Sequence, residues 1–311
     1  MFLETKNSSI QQVHFSEIEN SQVSVFIKRE DELHPFISGN KYRKLKYNLE
    51  EAKKQHKTTL LTFGGAYSNH IAATAAAGFE YNFKTIGIIR GDELANNSQE
   101  IIQNNPTLKF ALEHQMQFHF VSRKEYRNKT LKEFIANLQR QFGDFYLVPE
   151  GGTNHLAVKG CEEILTSNDD KFDIICSAVG TGGTISGIIN SLKKNQKAIG
   201  FPALKGDFLQ NEIKKYVLKN NNWILNTAYH FGGYAKVSEE LIIFINKFKN
   251  ETLIPLDPVY TGKMMFGIVD LIKKNYFKQG TKILAIHTGG LQGIDGMNVV
   301  LSKKKLPLIR K

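Results

Sequence analysis

Cysteine is nearly absent: Cys161 and Cys176 are the only two in 311 residues. So few exclude a disulfide framework and fit a reducing, cytoplasmic setting. No stretch approaches the unbroken apolar run that a membrane helix requires. Residues 1–20 carry acids and polar groups instead of a basic start and an apolar run, so no secretory signal is expected. Neither His155 nor His287 has a partner at ligand spacing, so no metal site is expected. The chain lacks a Gly-x-Ser-x-Gly elbow, which removes a Ser-His-Asp hydrolase of that kind. It also lacks a Pro-, Gly- or Ser-rich linker, an internal repeat and a low-complexity tract.

What is present is ordinary for a globular protein: 41% hydrophobic and 23% charged residues. The length allows one large domain or two ordinary ones. The net charge is +11. Its lysines are scattered and not interleaved with aromatics along one element, so no nucleic-acid partner is expected. A positive field of this size still draws in small anions.

Short apolar runs at 23–28, 59–63, 85–89, 117–121, 145–148, 174–178, 198–202 and 282–287 read as strands. Segments 42–54, 69–77, 132–142, 157–165, 185–193, 238–250 and 264–274 read as helices. Several strands are apolar throughout, as in a parallel sheet covered on both faces. The rhythm predicts an α/β fold. Glycines close four strand-to-helix junctions, at Gly64-Gly65, Gly151-Gly152, Gly180 to Thr184 and Gly289-Gly290. Ligands of open parallel sheets bind at such strand ends.

Two segments suggest chemistry. In Gly39-Asn40-Lys41 an amine stands beside a glycine that lets a planar ring approach, with Asn40 as a candidate helix cap. The bland alternative is one more exposed lysine beside Lys44 and Lys46. In Gly180-Thr181-Gly182-Gly183-Thr184 bare N–H groups at a helix start could cradle a phosphate. It has neither a following Lys-Ser or Lys-Thr nor dinucleotide-type glycine spacing, and it could also be a plain tight turn. An amine and a phosphate cup are what pyridoxal phosphate requires. Ser68-Asn69-His70 could hold a carboxylate and a phenolate oxygen, or Ser68 could merely cap a helix. Tyr234 and Tyr260, flanked by glycines, are core residues or ring-stacking walls.

As a set, these segments together with Ile27 to Asp31, Pro149 to Asn154, Tyr260 to Lys263 and His287 to Gly290 resemble the fold-type II pyridoxal-phosphate enzymes. This is the tryptophan synthase β-subunit superfamily. Within it the chain most resembles the 1-aminocyclopropane-1-carboxylate deaminase and D-cysteine desulfhydrase family, from about residue 23 to 290. The resemblance implies two open, twisted, mostly parallel sheet domains flanked by helices, with the cofactor in the cleft between them. It implies a small substrate domain, 44–152, within a large cofactor-binding domain made of 1–43 and 153–311. It implies Lys41 as the Schiff-base lysine, Asn69 on the ring oxygen and Gly180, Thr181, Gly182, Gly183 and Thr184 on the phosphate. Tyr260 and Thr288 complete the cofactor site, Ser68, Tyr234 and Tyr260 face the substrate as catalytic candidates, and Ser68, Asn69 and His70 hold its carboxylate.

Two positions separate the family's branches. The ring-opening deaminases resemble Tyr-Glu-Gly and His-Leu-Gly-Gly where this chain has Tyr260-Thr261-Gly262 and His287-Thr288-Gly289-Gly290. A threonine hydroxyl holds a neutral pyridine nitrogen, which suffices for loss of a β-thiol and is a weaker electron sink for opening an unactivated ring. The expected activity is therefore a D-cysteine desulfhydrase-like β-elimination on a small amino acid, with the ring-opening deaminase as the alternative. A non-enzymatic cofactor carrier is a third class. The resemblance also implies a homodimer. Tyr67, in place of the family's usual glutamine, and Ile71-Ala72-Ala73, where relatives often carry an arginine, depart from the pattern beside the carboxylate site.

Overall fold

The computed structural model describes residues 3–95, 98–218 and 222–310. Its strands are β1 (Ile10–Gln12), β2 (Ser24–Lys28), β3 (Thr59–Gly64), β4 (Lys84–Arg90), β5 (Met116–Val121), β6 (Tyr146–Val148), β7 (Ile174–Val179), β8 (Lys197–Pro202), β9 (Trp223–Leu225) and β10 (Lys282–Ile286). They form a six-stranded sheet in the order β1-β2-β10-β7-β8-β9 and a four-stranded sheet in the order β5-β4-β3-β6. Every pairing is parallel except β1 with β2. The expected α/β architecture of two mostly parallel sheets flanked by helices is what the chain adopts.

The apolar runs explain the central strands. All residues of β3 are buried, and so is the interior of β4, as strands covered on both faces must be. β1 and β9 were not expected. β1 contributes one apolar residue and two exposed glutamines, and β9 is only half-buried. Both lie at sheet edges, where the two-faced apolar signature is not needed. The expected helices are present, with the first running Asn40–Lys54 and the last Thr261–Lys273. Helices Ser98–Asn104, Pro106–Glu113, Arg123–Tyr126, Phe208–Lys214 and Gly293–Lys303 are additional to those expected.

Helices Glu239–Thr252 and Thr261–Lys273 pack on the six-stranded sheet through its largest apolar cluster. Phe15 meets Phe244 edge-on at 5.7 Å and Phe248 at 5.2 Å there. Ring contacts of this kind add about 0.5–1.5 kcal/mol beyond burial.

Helix Asn40–Lys54 is anchored by charge. Arg43 donates to both carboxylate oxygens of Glu30, at 2.8 and 3.0 Å, and both residues are fully buried. Removing one partner of such a pair costs about 3–5 kcal/mol, because the other charge is stranded. Lys46 reaches Glu163 at 2.8 Å. Lys44 and Lys46 are thus buried, not exposed neighbours of Lys41.

Candidate active site

Lys41 stands in the first turn of helix Asn40–Lys54, at the end of the loop that follows β2. The N-cap is Gly39, not Asn40, with φ +63 and ψ −140, a conformation open essentially to glycine alone. Asn40 lies inside the helix and works sideways. Its Nδ2 donates to Thr184 Oγ1 at 2.8 Å, and its Oδ1 accepts from Lys41 Nζ at 2.8 Å. The residue Lys41 is half-buried. Burial, then the charge of Lys44, pushes its amine down to about 7, against the weaker opposing pull of Cys161 and Asp257. At neutral pH a large share of Lys41 is therefore an uncharged nucleophile.

The turn after β7 forms a cup. Gly182 is left-handed at φ +88 and precedes helix Gly183–Ser191, whose first N–H groups have no side-chain cap. Lys44 Nζ enters this cup. It donates to Gly151 O at 2.9 Å and Thr153 Oγ1 at 3.0 Å, and lies 3.5 Å from Thr181 Oγ1. A methyl on Gly183 would sit 3.3 Å from Lys44 Nζ and 2.8 Å from Thr153 Oγ1. Lys44 was missed as a site residue. The signal was available only as a second basic residue one helical turn after Lys41.

Asn69 opens helix Asn69–Glu80 after β3. Its Oδ1 accepts from Gln292 Nε2 at 2.8 Å, and its Nδ2 would be 2.7 Å from a methyl on Gly290. Ser68 is the helix cap, and its Oγ accepts from the N–H groups of His70 and Ile71 at 3.2 and 3.4 Å. The His70 imidazole is buried and meets Thr62 Oγ1 at 2.7 Å. Burial, followed by the charges of Lys41 and Lys44, holds its pKa well below the usual histidine range, so the ring is neutral.

Tyr260 and Tyr234 meet edge-on with ring centres 6.2 Å apart. A methyl on Gly180 would lie 3.2 Å from the Tyr260 ring, so the phenol borders the cup. Burial first, then Tyr234 and Asp257, holds the Tyr260 hydroxyl well above its ordinary pKa. Asp257 is buried and takes four donors: the backbone N–H groups of Val259, Tyr260 and Thr261, and Thr261 Oγ1 at 2.7 Å. It fixes the loop that carries Tyr260. Thr288 is buried, and its carbonyl accepts the Asn40 N–H at 3.2 Å. The structure thus brings Lys41, Asn69, the 180–184 turn, Tyr260 and Thr288 together beside strand ends of both sheets.

The donor set fits pyridoxal phosphate. Lys44 is a buried cation whose bonded partners are neutral oxygens, and among the described residues it has no counter-ion. Beside it lie uncapped helix N–H groups and an amine with a lowered pKa. A phosphate supplies the missing charge, and an aldehyde suits the amine. Residues 7–289 match the family described as pyridoxal-phosphate dependent enzyme. The chain belongs to that family.

This pyridoxal-phosphate-dependent enzyme is 34% identical to a bifunctional D-cysteine desulfhydrase/1-aminocyclopropane-1-carboxylate deaminase of Arabidopsis thaliana, over 87% of this chain and 73% of the plant protein. It superposes on the crystal structure of an ACC deaminase homologue with a TM-score of 0.80 and 28% identity, over 97% of this chain and 95% of the other. The fold alone is shared with a hydrogen sulfide-producing enzyme of Fusobacterium nucleatum, at a TM-score of 0.66 and 17% identity over 93% and 97% of the two chains. Among the described residues no helix is long and apolar enough to cross a membrane.

Proposed function

We propose that this enzyme removes the β-thiol of a small amino acid, with D-cysteine as first substrate. D-cysteine and water would give the corresponding keto acid, ammonia and sulfide. The observation that carries this reading is that Thr261 stands where ring-opening relatives resemble Tyr-Glu-Gly, so no acid is supplied there. Because its hydroxyl donates to Asp257 at 2.7 Å, the hydroxyl for the ring nitrogen would come from Thr288. Bound pyridoxal phosphate supplies an electron sink for a carbanion at the substrate Cα. The remaining work falls to the chain. Lys44, the 180–184 turn and Thr184 hold the phosphate, Asn69 holds the ring oxygen, and Tyr260 and Thr288 bound the ring. Lys41, with its pKa near 7, is matched to taking the Cα proton at neutral pH. Tyr234 and Tyr260 close the substrate side, and Ser68 with the backbone of Asn69 and His70 receives the carboxylate.

The same reading divides the chain into a small substrate domain, 44–152, and a large domain of 1–43 and 153–311. It places the enzyme in the cytoplasm as a homodimer, which light scattering and cell fractionation check. A second reading, opening of 1-aminocyclopropane-1-carboxylate to 2-oxobutyrate and ammonia, draws on the double name of the plant relative. Assay of the loaded enzyme with both substrates separates the two. Sulfide without 2-oxobutyrate supports the first. 2-Oxobutyrate without sulfide replaces it with the second. A Lys41→Ala protein with full turnover sinks both.

A further inference from the structure

Arg90 ends β4 at the same carboxyl end of the four-stranded sheet as the Ser68 turn. Residue 90 is exposed, and among the described residues no hydrogen bond or ion pair is formed by its guanidinium. The guanidinium lies over the Tyr126 ring, 5.8 Å from its centre. That ring is a fixed platform: Tyr126 is buried and its hydroxyl donates to Glu150 at 2.7 Å. The nearby acids are already engaged. Glu150 also meets Lys129 at 3.3 Å, and Glu93 holds Arg123 at 2.7 Å.

Arg90 also borders the site. A methyl on Gly65 would lie 3.8 Å from Arg90 Nη2, and Gly65 O accepts the Ser68 N–H at 3.0 Å. The Arg90 charge also weakly opposes the upward push that burial gives the Tyr234 hydroxyl, so the two side chains share one region. The 65–71 turn itself offers no cation. Its Ser68 hydroxyl already accepts two N–H groups, and Tyr67 packs on Gly296, with its ring 2.4 Å from where a methyl there would sit. A carboxylate arriving at this turn meets one side chain with a free, planar, double donor.

We infer that Arg90 engages the α-carboxylate of the substrate and so restricts the site to amino acids over simple amines. The inference rests on the amino-acid reading of the site but not on which amino acid is the substrate. The Tyr126 platform takes the place of a paired acid: it holds the guanidinium by cation–π contact and leaves its donors open.

Glycine and methylamine test this on the pyridoxal-phosphate-loaded protein, because they differ by the carboxylate and neither has handedness. Each is titrated against the visible band of the bound cofactor. In the wild type glycine perturbs the band at far lower concentration than methylamine. Arg90→Gln raises the half-saturating glycine concentration about 10- to 100-fold, the range of a charge-assisted hydrogen bond, and leaves methylamine unchanged. Arg90→Lys recovers part of the loss. A wild type with no preference for glycine overturns the inference. So does R90Q with unchanged glycine binding, or with equal losses for both ligands. Sulfide release does not enter the measurement. A wild type that makes no sulfide yet shows the Arg90-dependent preference refutes the reaction proposed above and leaves this inference standing.

Discussion

Gly39 lies so close to Thr288 that a methyl group on it would stand 2.0 Å from the Thr288 carbonyl oxygen. The loop entering the Lys41 helix is thereby seated on the loop leaving β10, and the Asn40 N–H to Thr288 O bond at 3.2 Å closes the contact. Lys41 is aimed by backbone packing between segments from opposite ends of the chain.

Gly39→Ala is expected to break this seat. The φ of +63 and the clash each oppose a side chain. Backbone strain alone costs about 1–3 kcal/mol. The thermal midpoint should fall, and the visible band of the bound cofactor should weaken more than the midpoint implies. An unchanged midpoint and band would show that the two loops can separate freely.

Lys44→Met separates stability from ligand affinity. Without cofactor, Lys44 is a desolvated cation with its pKa pushed down to about 8 by burial. Removing it relieves a desolvated charge but leaves Gly151 O and Thr153 Oγ1 without this donor, so the cofactor-free protein should lose no more than about 1–3 kcal/mol in denaturant titration. The same change should weaken pyridoxal phosphate binding about 10- to 100-fold, the loss of a charge-assisted contact. Equal cofactor affinity in variant and wild type would remove Lys44 from the phosphate cup.

The pH profile of loading follows from Lys41. Its folded-state pKa, about 7, lies below the ordinary lysine value of 10.5. Above pH 7 the amine is free to react, and as pH falls through 7 it is protonated and the loading rate drops. A midpoint near 10.5 would contradict the burial argument. The linkage has a definite sign. Between about 7 and 10.5 the unfolded chain holds the proton that the folded chain has released, so Lys41 adds stability to the cofactor-free protein as pH rises through that window.

Lys263 positions Tyr234 from a distance. Its buried Nζ donates to the carbonyls of His230 and Gly233 at 2.9 and 2.8 Å. Lys263→Met leaves both carbonyls without this donor and should cost about 1–3 kcal/mol. Turnover should fall together with stability while cofactor affinity stays near wild type, read from parallel kinetic and band titrations. A variant that loses cofactor and keeps turnover per loaded site would refute this role.

Much of the site was legible locally. Gly39-Asn40-Lys41, Ser68-Asn69-His70 and Gly180 to Thr184 each place their functional groups within a few residues of a strand end, so sequence neighbours remain spatial neighbours. The central strands were legible for the same reason: two-sided burial demands an apolar residue at every step, as in β3. Edge strands β1 and β9 carry no such demand. Helix Gly293–Lys303 has an apolar stripe at Ile294, Met297 and Leu301, but Gly293 and Gly296 in its first turn make its start read as a continuation of the Gly289-Gly290 turn.

By itself the sequence determined the alternation of strands and helices, the glycine turns at strand ends and the amine placed beside one of them, because each is a property of short-range sterics and periodicity. Only the tertiary structure decided which charges are inside. Lys44 and Lys46 read as surface lysines, and Lys28 as the end of a strand. Yet Lys28 meets Asp169 at 2.7 Å, Lys46 meets Glu163 at 2.8 Å, and Lys44 faces the 180–184 turn with no carboxylate partner among the described residues. Arg90 stays exposed, but its place over Tyr126 beside the Ser68 turn was likewise set by tertiary contacts. A buried charge is tolerated or reactive according to what stands within a few ångströms of it, and those partners lie far away along the chain.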